Sequence, residues 1–274
     1  MSKPVKHIVI VGGGAAGWLT AGLIAAEHDA VSESGTRVTL IESPDVSPIG
    51  VGEGTWPTMR STLAKLGIGE TEFVRECDAS FKQGTRFDGW QTNAEDDIYY
   101  HPFTLPNGYL KTNLAEAWLC HPERMPFADA VSAQSQLCAH GLAPKQVATP
   151  EYAAVANYGY HLDAGKFAVL LQKHCTRTLG VKDVLDHYTG VNNDEQGNIT
   201  SLDCKEYGLI EGDLFIDCTG FASLLLGKHY EVPFVSRKHN LFIDSALAAQ
   251  VSYRDDNSPI ASQTIATAQS SGWI

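Results

Sequence analysis

Residues 6–17 read Lys-His-Ile-Val-Ile-Val-Gly-Gly-Gly-Ala-Ala-Gly and predict a buried strand, a tight turn and the start of a helix. Ile8 to Val11 is a β-branched run of the kind that parallel sheets bury on both faces. The glycines of Gly12-x-Gly14-x-x-Gly17 suit a tight turn, the approach of a pyrophosphate to bare backbone, and close packing of the helix on the strand. We interpret the stretch as a dinucleotide-binding turn, against the alternative of a glycine-rich turn without a ligand.

The next predicted strand supports this interpretation. It covers Arg37 to Ile41 and leads directly into Glu42. In dinucleotide-binding folds an acid near this point meets a ribose hydroxyl. The helix that begins near Ala15 would turn unpaired N–H groups and a partial positive charge toward the phosphates. The pattern therefore predicts an α/β fold with a doubly wound parallel sheet.

The composition is typical of a globular protein and argues against a nucleic-acid partner. The chain has 274 residues, 43% of them hydrophobic, and a formal net charge of −12. Nucleic acids and anionic membranes both attract basic patches, so we expect neither as a partner, and the ligand phosphates must be held mainly by backbone. The six cysteines show no metal-ligand spacing, which indicates reduced thiols in a cytoplasmic protein without a metal site.

The middle of the chain predicts short elements around a lysine. Helices are expected at 58–66 and 70–76, and a strand at 79–87 carries Lys82, which taken alone is an ordinary surface lysine. Residues 91–160 lack an α/β rhythm and are interpreted as an inserted layer, with a helix over Phe127–Cys138. Within it, the rings of Tyr99 to Phe103 either stack on a flat substrate or pack into the core.

The last third returns to an alternating pattern. Asp163 precedes an amphipathic run and is interpreted as a helix N-cap rather than a catalytic acid. Strands are predicted at 180–191, 198–204 and 212–218, with a hairpin turn at 194–198. The last strand enters Thr219-Gly220, a second strand-to-glycine turn, which suits a ligand lying across the carboxyl edge of the sheet.

Several motifs occur in a fixed order: Gly12-x-Gly-x-x-Gly-Trp18, Gly50-Val-Gly-Glu-Gly54, Phe81-Lys82, His161-Leu-Asp-Ala164 and Asp213-Leu-Phe-Ile-Asp-Cys-Thr-Gly-Phe221. Together they resemble the flavin-dependent tryptophan halogenases, from the first strand to the last residue. The resemblance implies an FAD-binding doubly wound (Rossmann-like) core with an added β-rich substrate-binding layer. Residues 1–90 and 161–274 would form the core, and residues 91–160 the substrate-side insertion.

The resemblance also implies a chemistry and a set of site residues. Reduced FAD, O2 and chloride or bromide give hypohalous acid, which a lysine guides to tryptophan or another indole; Lys82 matches that lysine. His101 and Phe103 match positions whose rings sandwich the indole. A separate flavin reductase supplies reduced FAD, and a homodimer is compatible with the resemblance. Positions that match FAD contacts are Gly12, Gly14, Ala15, Ala16, Gly17, Glu42, Ser43, Gly54 and Tyr188.

The chain departs from this family in its length. Members are about twice as long, and Trp273-Ile274 matches only the start of their Trp-x-Trp-x-Ile-Pro motif. We therefore expect either the N-terminal part of a longer enzyme, with the partner glutamate of Lys82 and the halide site outside this sequence, or a truncated product that would fold poorly. The alternatives are a single-component flavin monooxygenase and an inactive flavin-binding fragment.

Overall fold

The computed structural model describes residues 4–46 and 51–274; Gly50 of the second motif lies outside them. The chain forms two compact units. The first comprises Met1–Val51, Lys65–Ile68 and Asp163–Asp244, and the second comprises Gly52–Ala64, Gly69–Leu162 and Ser245–Ile274. These bounds differ from the domains predicted from the sequence, because 52–64, 69–90 and 245–274 group with the proposed insertion. The division into an FAD-binding core and a substrate-side insertion stays a prediction.

The helices and strands have the following bounds. The helices are α1 (Ala15–Glu27), α2 (Thr58–Leu66), α3 (Glu70–Glu76), α4 (Leu114–Leu119), α5 (Phe127–Val131), α6 (Gln134–Ala139) and α7 (Ala164–Arg177). The strands are β1 (His7–Val11), β2 (Arg37–Glu42), β3 (Gly52–Gly54), β4 (Ser80–Lys82), β5 (Gly84–Asp88), β6 (Ile98–Pro102), β7 (Gly159–Asp163), β8 (Lys182–Leu185), β9 (Tyr188–Asn193), β10 (Ile199–Cys204), β11 (Gly208–Glu211), β12 (Leu214–Asp217), β13 (Thr264–Gln269) and β14 (Gly272–Trp273). Two short 3-10 helices (Pro122–Arg124 and Gly220–Ala222) and a π-helix (Leu224–His229) complete the set.

The first unit contains the predicted parallel sheet. Its strand order is β12-β1-β2-β8, with every neighbouring pair parallel. A three-stranded antiparallel sheet, β11-β10-β9, belongs to the same unit. Val9, Val11 and Ile41 pack with Leu202 and Ile210 in one buried cluster. The α/β fold with a parallel sheet is thereby confirmed.

Two helices of this unit follow the predictions closely. α1 begins at Ala15, and α7 follows Asp163, whose side chain accepts a hydrogen bond from the Lys166 N–H as an N-cap does. The helices approach closely at Gly22, where an added Cβ would lie 2.8 Å from the Cys175 Sγ. The small residue therefore permits the packing of α1 on α7.

The second unit contains two further sheets. One has the order β14-β13-β5-β6, and the other has the order β3-β7-β4 with β7 in the middle. β4 and β7 are antiparallel, with Phe81 opposite Tyr160 and Lys82 opposite Gly159. The strand that carries Lys82 is thus held on one side by β7.

The predicted single strand at 79–87 is wrong. It breaks at Gln83 into β4 and β5, which belong to different sheets. Gln83 donates its N–H to Ser262 and accepts from the Phe103 N–H, while Gly84 takes a φ of +152° that favours glycine. The chain therefore changes sheets directly after Lys82.

Two other elements were also predicted too long. The helix at 127–138 is two helices, because Ser132 is extended (φ −153°, ψ 141°) between α5 and α6. The strand at 180–191 is β8 and β9, which belong to different sheets. Between them, the Asp186 carboxylate accepts hydrogen bonds from the backbone N–H groups of His187, Glu206 and Tyr207. This carboxylate fixes the turn that separates the strands.

All six cysteines are free thiols, and those at 77, 138, 175 and 204 are buried. Within residues 4–46 and 51–274, no helix is long and apolar enough to cross a membrane. The same residues contain no group of three or more His, Cys, Asp or Glu side chains placed to hold a metal ion.

Candidate functional site

The glycine turn after β1 has the geometry that a phosphate-binding turn requires. Gly12 has a φ of +117°, and a Cβ there would lie 2.3 Å from the carbonyl oxygen of Cys218. A Cβ at Gly17 would lie 1.8 Å from the Gly12 carbonyl oxygen. A Cβ at Gly14, in contrast, would have no atom within 4 Å. The first and third glycines are therefore required by the fold, whereas the second leaves open space at the start of α1.

The N-terminus of α1 faces this open space. Gly14 is the N-cap residue, and no side chain caps the helix. Uncapped N–H groups and the helix dipole together favour an anion. Ala15 and Ala16 add no bulk beyond a methyl group. These residues fit a pyrophosphate without any charged side chain, as expected for a chain of net charge −12.

The second glycine turn lies against the first. Cys218, which a Cβ on Gly12 would strike, directly follows β12. The Asp217 carboxylate accepts hydrogen bonds from Thr219 and from the N–H groups of Leu225 and Leu226. Both predicted turns thus meet at the carboxyl edge of the parallel sheet.

Glu42 ends β2 beside the glycine turn. A Cβ on Gly13 would lie 2.0 Å from the Glu42 Oε2, so the carboxylate lies directly over the turn. Gln172 Nε2 donates to Oε1 at 2.9 Å, and Trp18 Nε1 donates to Oε2 at 3.3 Å. Burial and the neighbouring Asp183 raise the pKa of Glu42. The acid is therefore held in a fixed orientation by Trp18, which belongs to the first sequence motif, and by Gln172, which no pattern in the sequence indicated.

The other two predicted FAD contacts of the first unit lie on β-structure or just after it. Ser43 follows β2 and accepts a hydrogen bond from the Asp45 N–H at 3.3 Å. Tyr188 begins β9 and packs against the buried cluster of the first unit. The structure thus places both side chains in the first unit, and their contacts with FAD stay predictions.

A cleft of about 400 Å³ lies at the opposite, amino edge of the parallel sheet. Its lining includes His7, Arg37 and Lys182, which are the first residues of β1, β2 and β8. Ligands of open α/β sheets bind outside the carboxyl ends of the strands. The glycine turns therefore fit a nucleotide better than this cleft does.

Lys82 lies in the second unit among aromatic side chains. Its Nζ is 5.6 Å from the centre of the Phe103 ring. The Phe103 ring centre is 5.4 Å from that of Trp56, and Trp56 meets His101 edge-on at 6.5 Å. Lys82, Phe103 and His101, which the sequence argument assigned to one site, are therefore brought together with Trp56.

The Lys82 ammonium is half-buried and has no hydrogen-bond or ion-pair partner in the described part of the chain. Burial lowers the pKa of Lys82, because removal from water disfavours the charged form. The ammonium is thus available to a small polar reactant and is more easily deprotonated than an exposed lysine. This behaviour differs from that of a surface lysine.

Gly54 and His161 flank the lysine. A Cβ on Gly54 would lie 2.9 Å from the Lys82 Nζ and 3.5 Å from the His161 Cδ2. The structure therefore places Gly54 beside Lys82 in the second unit, and its predicted contact with FAD stays a prediction. Sequence reasoning noted His161 only as part of a motif, and it missed Trp56 as a neighbour of the site.

The comparisons with known proteins agree with this geometry. Residues 7–274 match the tryptophan halogenase family. The chain is 34% identical to the tryptophan 7-halogenase RebH of Lentzea aerocolonigenes, covering 100% of this chain and 53% of the relative. It is 32% identical to the tryptophan 6-halogenase ThaL of Streptomyces albogriseolus, with the same two coverages.

Solved structures give the same result. A tryptophan halogenase from Shewanella frigidimarina superposes with a TM-score of 0.95 at 55% identity, over 99% of this chain and 53% of that one. A flavin-dependent halogenase from Xanthomonas campestris superposes with a TM-score of 0.83 at 31% identity, over 99% and 53%. The chain spans about half the length of the curated relatives that it matches. Because the family match covers nearly the whole chain, the protein belongs to the tryptophan halogenase family.

Proposed function

We propose that the protein takes part in flavin-dependent halogenation of tryptophan or another indole-type aromatic compound, with reduced FAD, O2 and chloride or bromide as co-reactants. The observation that carries the proposal is the half-buried Lys82 ammonium, which lies beside the Phe103 ring without a hydrogen-bond partner among the described residues. An ordinary structural lysine would be exposed or paired.

The residues at the glycine turns fit the diphosphate of FAD. Open space at Gly14, uncapped N–H groups at the start of α1, and the oriented Glu42 carboxylate supply the phosphate and ribose contacts. Reduced FAD, when bound, supplies the two electrons with which O2 and halide are converted to hypohalous acid and water.

Lys82 would deliver the halogen in one of two ways. The ammonium can donate a hydrogen bond to hypohalous acid and make its halogen more electrophilic. Alternatively, the free amine attacks the halogen, forming an N–halogen bond and releasing water, and the halogen then passes to the aromatic carbon as that carbon loses its proton. The lowered pKa of Lys82 favours the second route more than an exposed lysine would.

The aromatic side chains would orient the substrate. His101 and Trp56 are exposed and would offer their rings to the substrate, while Phe103 is only 7% exposed and packs against Trp56. Holding a flat indole against them would select the carbon that faces Lys82. We further propose that residues 1–90 and 161–274 bind FAD, that a separate flavin reductase supplies it in reduced form, and that the protein acts in the cytoplasm, with a homodimer as the candidate assembly.

A pair of glycine variants tests the proposed FAD site. Because a Cβ at Gly14 meets no atom within 4 Å, Gly14→Ala should cost at most about 1 kcal/mol of stability, the difference between these residues at an N-cap. It should nevertheless raise the Kd for FAD about tenfold or more, because the methyl group occupies the space of the pyrophosphate. Fluorescence titration of FAD and thermal unfolding measure the two effects.

Gly12→Ala is the matched control within the same turn. Its Cβ would lie 2.3 Å from a backbone oxygen, and its φ of +117° disfavours alanine, so both stability and FAD binding should fall. Unchanged FAD affinity in a folded Gly14→Ala variant would count against the proposed site.

A second candidate function is a flavin-binding polypeptide without turnover. The observation that favours it is the coverage, since the chain matches 53% of the length of RebH. The intact mass of the protein from its native source distinguishes the two proposals. A species of 29.7 kDa alone, without halogenated product, would support the second.

A further inference from the structure

The side chain of Lys82 extends from β4 to Gly54 of β3, the strand on the far side of β7. Residues directly opposite each other in an antiparallel pair share a face, as do alternate residues of one strand. Lys82 is opposite Gly159 on β7, and Ser80 is opposite His161, so these four residues share one face. The side-chain space of Gly159 is taken by the backbone that follows β3, because a Cβ there would lie 2.6 Å from the Thr55 carbonyl oxygen.

The ammonium reaches the third strand of this sheet, where it meets Gly54. A Cβ on Gly54 would lie 2.9 Å from the Lys82 Nζ and 3.5 Å from its Cδ. The same Cβ would lie 3.5 Å from the His161 Cδ2. The end of the lysine and the edge of the imidazole thus flank the bare backbone of Gly54. We call Gly54 and His161 the Lys82 seat.

His161 is fixed from outside its own sheet. Its Nε2 lies 3.0 Å from the Thr264 Oγ1, at hydrogen-bonding distance, and Thr264 is the first residue of β13. Burial and the nearby charge of Lys82 lower the pKa of His161 to about 4. The imidazole is therefore neutral at pH 7 and adds no second positive charge beside the ammonium.

The opposite face of β4 and β7 is covered by aromatic rings, of which those of Tyr158 and Tyr160 are fully buried. Phe81 and Tyr158 meet edge-on at 5.0 Å, and Tyr160 lies opposite Phe81. Lys82 consequently has little freedom to move with its strand, and the place of its ammonium depends on what lines the seat.

We propose that His161 is a positioning residue that acts through Lys82: its imidazole, anchored on Thr264, and the bare backbone of Gly54 together fix the place of the ammonium. The importance of this positioning for catalysis rests on the proposed function. The position of the Lys82 amine and its partial removal from water can be measured without turnover.

The direct test is the pH dependence of Lys82 acetylation in the full chain, measured by peptide mass spectrometry with trace acetic anhydride. The exposed Lys111 serves as the internal reference. In the unaltered protein, the pH at which acetylation of Lys82 is half-maximal (the midpoint) should lie below the corresponding pH for Lys111. In His161→Ala, water enters beside the amine, and the midpoint should rise by about half a pH unit or more.

Three further variants separate positioning from a general structural role. Thr264→Val removes the hydroxyl group that anchors the His161 ring but keeps the shape of the side chain at position 264. The midpoint for Lys82 should rise, but by less than in His161→Ala. His161→Gln keeps a neutral hydrogen-bonding side chain that can reach Thr264, and it should restore most of the low midpoint. His140→Ala, at an exposed histidine, should change nothing. Thr264→Val also keeps the test available if His161→Ala does not fold.

The result that overturns the proposal is an unchanged Lys82 midpoint in folded His161→Ala and Thr264→Val proteins. A halogenation assay on the same variants keeps the two proposals apart. If His161→Ala lowers the amount of halogenated product per FAD oxidised while flavin oxidation persists, both the positioning role of His161 and the proposed function are supported. If the midpoint moves but the unaltered protein makes no halogenated product, the seat stands and the proposed function fails.

Discussion

Lys82→Ala should reduce the halogenated product by about 100-fold or more while flavin oxidation stays within roughly twofold of the unaltered protein. The reason is the position of the residue in the proposed sequence of events, since Lys82 acts on hypohalous acid after flavin chemistry is complete. Product is measured by mass spectrometry, and flavin oxidation by the absorbance of FAD.

Two controls accompany this variant. Lys82→Met keeps an unbranched side chain over Gly54 and removes the amine, so it should lose product as fully as alanine does. Lys111→Ala removes an exposed lysine of the same unit and should leave product unchanged. Equal loss of halogenation and flavin oxidation in Lys82→Ala would refute the delivery role.

Glu70→Ala should lower the free energy of unfolding by about 3–5 kcal/mol, because it leaves the buried ammonium of Lys145 without its carboxylate partner. Glu70 Oε2 accepts from the Lys145 Nζ at 2.7 Å, and both side chains are almost fully buried. The phenols of Tyr158 and Tyr160 donate to Oε1 of the same carboxylate. Since Tyr158 packs on Phe81, the residue before Lys82, this network supports the strand that carries the lysine.

Thermal unfolding measures the effect, with an expected fall in Tm of roughly 6–20 °C for a chain of this size. Glu72→Ala is the matched control, because Glu72 lies in the same first turn of α3 and is exposed. It should change stability by no more than about 0.5 kcal/mol. Comparable losses in the two variants would show that the buried network contributes nothing beyond the helix terminus.

The same carboxylate predicts a pH dependence. Burial alone would raise the pKa of Glu70, but hydrogen bonds from Lys145, Tyr158, the Tyr152 N–H and Tyr160 together lower it below its ordinary value of 4.5. A carboxyl whose pKa is lower in the folded state stabilises the fold above its unfolded pKa. Its contribution should therefore be complete above about pH 5 and be lost as the pH falls through the folded pKa. The difference in the free energy of unfolding between the unaltered protein and Glu70→Gln should therefore decrease as the pH falls below about 5.

Local patterns allowed the first unit to be predicted well. The β-branched strand before Gly12, the N-cap Asp163 and the hairpin at 194–198 are each specified by neighbouring residues, and the structure confirms all three. Such features depend on backbone conformation and on side chains a few positions away. For this reason a single sequence was sufficient to predict these three features.

The breaks inside predicted elements could not be read in this way. The split after Lys82 depends on Gln83, which is fully buried and bonds to Ser262 and Leu142. Those partners are distant in sequence, so alternation over 79–87 gave no sign of the break. The same holds for Asp186, whose carboxylate binds backbone N–H groups from beyond the next hairpin.

The neighbours of Lys82 could also be predicted only in part from the sequence. Family resemblance indicated Lys82, His101 and Phe103, and the structure brings them together. Trp56 and Thr264 come from distant parts of the chain and join them only through the pairing of strands. Their residue types carry no signal of their own, because a tryptophan in a loop and a threonine opening a strand are common.

The most direct test of the central claim is a halogenation assay. The protein is incubated with FAD, a flavin reductase, NADH and bromide, together with tryptophan or indole, and the products are analysed by mass spectrometry. The account predicts the paired isotope peaks of a monobrominated product, and their loss in Lys82→Ala. Tight binding of FAD and oxidation of its reduced form without any brominated product would contradict it and would support a flavin-binding polypeptide without halogenase activity.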